Sequence, residues 1–149
     1  MNQTDDQTDN HTDEQTDNHT DEQTDDQADD QTDDQADEPA DLIVLMCSVP
    51  NDEVALKISN ALVEEHLAAC VSTVPGLRSI YRWEGKICNE TELLLLIKSV
   101  ETKAIELAVR VKELHPYETP ELIALPVVGG IAPYVRWVRE QTTCPKLPE

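Results

Sequence analysis

The stretch "LIVLMCSVP", Leu42 to Pro50, decides how this chain is read. Its apolar, extended-favouring residues run straight into a proline, too short a run for an ordinary helix, so it predicts a buried strand. It does not alternate. Apolar residues stand at odd and even positions, so both faces of the sheet it joins ask for cover. The same double-sided pattern recurs in "LLLLI", Leu93 to Ile97, and in "LIALPVV", Leu122 to Val128.

Downstream of Pro50, Asn51 and Asp52 suit a helix start and Glu53 suits its dipole. Val54, Ile58, Ala61 and Leu62 then recur at helical spacing, predicting a helix that ends near His66. From Ala69 to Trp83 the β-branched and aromatic content rises, broken by Pro75 and Gly76 as a bulge or bend would break it. Glu84, Gly85 and Lys86 read as a turn, with Ile87 to Lys98 as the returning arm of a long hairpin. Ser99 is the candidate cap of a second helix. Its stripe is Val100, Ala104, Leu107, Ala108, Val111 and Leu114, with Glu106 and Arg110 as a surface pair. Pro116 ends that helix. Glu121 to Val128 is a fourth strand, and Ala132 to Gln141 a short last helix carrying Trp137. The fold class is α+β, and the order is that of the split βαβ, ferredoxin-like sandwich with a short C-terminal helix. A single layer of helices covers only one sheet face. The other face predicts an obligate homo-oligomer, because apolar patches of that size are rare on monomers.

Upstream the composition changes sharply. Residues 1–41 hold 17 of the 31 acidic residues and no Lys or Arg, so most of the net charge of −20 belongs to them. They repeat every four residues, TDDQ, TDNH, TDEQ, from Thr4 to Pro39, with Met1 and three alanines as apolar content. Such a segment has nothing to bury against the entropy of ordering it, and the expectation is a disordered acidic tail. His11 and His19 read as solvated residues of a polar tract. Residues 42–149 are nearly charge-balanced and form the folded domain. Neither segment suggests nucleic-acid binding. No secretion signal is legible and no apolar run approaches the roughly 18 residues of a membrane span. Cys47, Cys70, Cys88 and Cys144 contain no CxxC pair, so a reduced, cytoplasmic chain is expected.

Two motifs carry the chemistry. "HPYETPE", His115 to Glu121, gathers a histidine, a tyrosine and two glutamates between the second helix and the last strand. It reads either as a ligand site or as a stiff loop in which the imidazole answers the helix dipole and Glu118 and Glu121 are solvated. "YRWEGKI", Tyr81 to Ile87, sets Tyr81 and Trp83 on one strand face and Arg82 and Glu84 on the other. The aromatics either pack across a subunit boundary or line an intersubunit cleft with Tyr117, Glu118 and Lys98. Cys47, beside a buried strand, reads by itself as a small hydrophobe. Catalysis has no support: Ser72, Ser79 and Ser99 show no base partner, and neither a GxSxG nor a phosphate-cradling loop occurs.

Taken together, "AACV", "YRWEGKI", "HPYETPE" and "LPV", in that order between Leu42 and about Gln141, resemble the CutA family of divalent-cation tolerance proteins. The resemblance implies a ferredoxin-like protomer in a tight homotrimer joined through the long hairpins and the last strand. It also implies a cytoplasmic, copper-binding protein linked to heavy-metal tolerance, not an enzyme, with Cys47 and His115 as the copper ligands. Sulfur with imidazole suits copper. Some bacterial members carry two histidines before the proline, where this chain has Leu114 and His115. Two other readings stay open: a PII-like sensor that binds a small molecule between subunits, and a structural trimer that presents partners.

Overall fold

The computed structural model describes residues 41–143. The acidic repeat with His11 and His19, and Cys144, lie outside the described residues. Along the chain come β1 (Leu42–Val49), α1 (Asp52–Glu64), β2 (Cys70–Trp83), β3 (Lys86–Val100), a 3-10 turn (Glu101–Lys103), α2 (Ala104–Leu114), β4 (Ile123–Pro126) and α3 (Ala132–Thr142). The sheet order is β2-β3-β1-β4 with every neighbouring pair antiparallel. The element order is the one the apolar runs predict. The fold is α+β, a four-stranded antiparallel sheet with three helices.

Local chemistry explains most boundaries. Asn51 caps α1, its side chain accepting from the Val54 N–H at 3.0 Å. The helix stops at Glu64 because the chain turns at His66, which sits at φ 56 and is tied to the Gln141 carbonyl through Nδ1 at 2.9 Å. Glu84 and Gly85 both take positive φ and close a two-residue hairpin turn, so Lys86 belongs to the strand and pairs with Trp83. Pro75 and Gly76 form the expected irregularity, where the register shifts between Val74 and Leu77.

Three local expectations are corrected. Ser99 does not cap a helix: it is the penultimate residue of β3, fully buried, and its hydroxyl donates to the Leu67 carbonyl at 2.6 Å. Arg110 does not pair with Glu106; it grips Glu65 of α1 at 2.8 Å and Glu113 at 3.1 Å, while Glu106 meets Lys103. The last strand is four residues rather than eight.

One face of the sheet carries Ile43, Leu45, Cys47, Val49, Leu95 and Ile97, buried against Ala55, Ile58 and Leu62 of α1 and Leu107 and Val111 of α2. Each such side chain contributes about 1.5–3 kcal/mol by leaving water. The second face is covered in part by the chain itself. Val135 and Val138 of α3 fold over Leu42, Val100 and Ala69, so Val100 packs here and not in the α2 stripe. Arg139 holds Asp41 at 2.7 Å, fastening α3 beside the start of β1. The rest of that face remains open: Val44, Met46, Leu94 and Leu96 are half-buried, and Ile123 and Leu125 are exposed.

The hairpin extends beyond the sheet. β1 pairs with β3 only from Leu93 to Val100, so among the described residues the segment from Lys86 to Glu92 has only β2 as a sheet partner. That makes a two-stranded ribbon bearing Ile80, Ile87 and Trp83, with Ile80 and Ile87 more than 60% exposed. A bare ribbon of this kind is marginal in water.

Candidate functional site

The ribbon and the HPYETPE loop enclose a groove of about 740 Å³. Its walls are Arg78 to Tyr81 and Trp83 from β2, Glu90 and Glu92 from β3, Ser48 from β1, and Tyr117, Glu118, Thr119 and Glu121 from the loop. The fold thus brings together five of the predicted residues: Tyr81, Trp83, Tyr117, Glu118 and Glu121. Lys98 and Glu84 are elsewhere. Lys98 donates to the Ser72 hydroxyl at 2.6 Å and the Leu96 carbonyl at 3.0 Å. Glu84 is in the hairpin turn. Ser72 therefore has a basic neighbour that the sequence did not show, because Lys98 reaches it from across the strand pair.

His115 and Cys47 are not in the lining of this groove; both meet the backbone carbonyl of Ser48, a residue of its wall. His115, 7% exposed, places Nε2 2.8 Å from the Ser48 carbonyl, while Nδ1 is 3.1 Å from the Tyr117 N–H. These partners fix the tautomer: Nε2 carries the proton and donates to Ser48, and Nδ1 accepts from Tyr117. The Cys47 thiol is fully buried and donates weakly to the same carbonyl at 3.7 Å. Burial, then the charges of Glu121 and Glu92, push its pKa up to about 12. The donor types suit copper. As folded, both imidazole nitrogens are hydrogen-bonded and the sulfur keeps its proton, so an ion held by this pair would have to displace those bonds and the thiol proton. Among the described residues no group of three or more His, Cys, Asp or Glu could hold a metal.

The groove itself is acidic and aromatic. Tyr117 donates to Glu92 Oε2 at 3.1 Å, and its ring lies 4.8 Å from the His115 ring. Burial and the Glu92 carboxylate hold the Tyr117 phenol up to about 12; partial burial and Glu90 do the same for Tyr81. Both phenols stay neutral donors at physiological pH. The sequence reading missed Glu90 and Glu92, although their two-residue spacing on a strand puts both on one face. That was the available signal.

Comparison with known proteins gives the lineage. Residues 43–141 match the family model described as CutA1 divalent ion tolerance protein. The chain belongs to the CutA family. The divalent-cation tolerance protein CutA of Thermus thermophilus is 52% identical over 99 residues, 66% of this chain and 96% of that protein. Human protein CutA is 43% identical over 104 residues, 70% of this chain and 58% of that protein. Among solved structures, the Thermus thermophilus Cut A1 protein superposes with a TM-score of 0.67 at 51% identity, covering 68% of this chain and 99% of that one. CutA1 from Oryza sativa gives 0.68 at 41% identity, covering 70% and 96%. The CutA match spans β1 to α3, so the groove and the Cys47 and His115 pair fall inside it. CutA relatives carry both chloroplastic and periplasmic descriptions. Among the described residues no helix is long and apolar enough to cross a membrane.

Proposed function

We propose that this CutA-family chain works as a cytoplasmic homotrimer that binds divalent cations, copper foremost, and so contributes to tolerance of such ions. Family membership across residues 43–141 is the observation that carries the cation. The assembly is supported by the unpartnered ribbon and by the open apolar face of β1, β3 and β4. Further strands and side chains from copies of the same chain would cover both, which a bare two-stranded ribbon requires.

Cys47 and His115 are the soft donors to test first. Ligands must shed their protons to bind, so uptake at this pair must rise with pH and displace hydrogen bonds that now hold the loop. The experiment is a copper titration of the full chain at pH 6 and pH 8, with Cys47→Ser and His115→Ala beside the wild type. A site with about one ion per chain, stronger at pH 8 and lost in both variants, is expected. Uptake that is unchanged in the double variant overturns this assignment, and absence of any saturable site overturns the copper reading.

A further inference from the structure

Coordination number decides which ion the pair of Cys47 and His115 can hold. The two side chains meet at one backbone oxygen, with His115 Nε2 2.8 Å and Cys47 Sγ 3.7 Å from the Ser48 carbonyl. No further ligating side chain joins them: among the described residues no group of three or more His, Cys, Asp or Glu could hold a metal. Glu121 and Glu92 act on the thiol through their charge, which draws in any cation and does not discriminate between ions. The Ser48 carbonyl is a hard oxygen, a poor donor to a soft ion. Bulk water does not complete the shell at the sulfur, because Cys47 is fully buried in the core with Leu45, Val49, Leu95 and Leu107.

Ions differ sharply in what they do with two donors. Zinc in structural sites is almost always held by four ligands, and calcium and magnesium need shells of six or more oxygens, so each would sit here far short of its requirement. A cuprous or silver ion has a filled d shell and is satisfied by a thiolate and an imidazole in line. Thiolate sulfur also selects the cuprous state by its softness.

We infer that Cys47 and His115 hold a soft monovalent ion, copper in its cuprous state, through two donors, and that the pair discriminates against divalent ions such as zinc and cobalt. The inference rests on the proposed assignment of these residues as the copper donors and names the form of copper they take. It narrows the divalent-cation reading at this pair alone.

The test uses the full chain with Cys70, Cys88 and Cys144 replaced by serine, so that Cys47 is its one thiol. Cuprous ion is titrated anaerobically, with excess ascorbate, in competition with bicinchoninate. Zinc(II) and cobalt(II) are titrated in parallel without ascorbate, cobalt because its charge-transfer absorption reports a thiolate ligand. About one cuprous ion per chain held against the chelator is expected, with affinity reduced about a hundredfold in Cys47→Ser and about tenfold in His115→Ala. Cobalt(II) is expected to raise no thiolate band, and zinc(II) to bind equally with and without Cys47. Circular dichroism checks that each variant is folded. If His115→Ala is not, the nitrogen-15 spectrum of histidine-labelled protein with silver(I) reads the imidazole directly, and an unmoved His115 signal overturns the inference. A thiolate band with cobalt(II), or zinc affinity that falls in Cys47→Ser as far as the cuprous affinity does, overturns the inference and leaves the two residues as donors. Cuprous affinity that falls in Cys47→Ser but not in a folded His115→Ala overturns the two-donor site. Cuprous affinity unchanged in both variants overturns the donor assignment and the inference with it.

Discussion

Replacing His115 with alanine separates a structural imidazole from a metal ligand. The ring joins β1 to the loop through two hydrogen bonds, to the Ser48 carbonyl and from the Tyr117 N–H, and it packs on the Tyr117 ring. Alanine strands a carbonyl and an amide in a site that is 7% exposed. A buried polar group left without its partner costs about 1–3 kcal/mol, less where water reaches it, as it can at the half-buried Tyr117 amide. Loss of the ring contact adds about 0.5–1.5 kcal/mol. The expected destabilisation is about 2–4 kcal/mol, present with no metal in solution. Urea unfolding in the presence of a chelator, at one fixed protein concentration because assembly couples to stability, measures it. A loss below about 0.5 kcal/mol in metal-free protein would refute the structural role, since the exposed-site range of ordinary substitutions would then contain it.

Other residues give sharper single readouts. Cys47, with its pKa pushed up to about 12, is expected to resist thiol reagents at pH 8 in the native protein and to react only on unfolding, whereas half-buried Cys70 and Cys88 react first; peptide mass mapping distinguishes them. The same shift makes a pH prediction. An unfolded thiol ionises near 9.0 and the folded one near 12, so the stability Cys47 contributes is complete below about 9 and declines as pH rises through that window, which Cys47→Ala should flatten. Asp41 runs in the opposite sense: its hydrogen bond and charge contact with Arg139 hold its pKa below 3.8, so its contribution is present above that value and lost as pH falls, and Asp41→Asn should remove this acid-side dependence. Gly85→Ala, at φ +78 in the hairpin turn, should cost about 1–2 kcal/mol in the same urea assay even though its Cβ would meet open space.

The sequence exposed the architecture better than the chemistry. Strand and helix order followed from apolar runs punctuated by Pro50, Pro116 and Gly85, because turns and periodicity act over a few residues. Ser99 was misread since a serine before a helical pattern resembles a cap; its pairing with Ile43 and its bond to Leu67 come from segments far away in sequence. Arg110 likewise has a local candidate in Glu106 but a better-placed one in Glu65 of the neighbouring helix. The two-sided apolar strands asked for cover on a second face, and within the chain only the Leu42 and Val100 end of that face receives it, from α3. That α3 would supply part of the cover depended on how Val135 and Val138 pack, which periodicity alone does not specify. At the site, Tyr81, Trp83, Tyr117, Glu118 and Glu121 were legible as a group because two motifs carried them, whereas Glu92 became notable only once its burial and its phenol partner were visible. His115 and Cys47 were legible as residues of interest, but the imidazole's hydrogen bonds to Ser48 and Tyr117 and the burial of the thiol arise only in the folded arrangement.

Sedimentation equilibrium of the full chain across a wide dilution range tests the assembly on which the proposed function rests. The account predicts a folded species of three times the 16.7 kDa chain mass that persists at the lowest concentration measured. A stable, folded species at the mass of one chain would show that the ribbon and the open sheet face need no partner, and would contradict it.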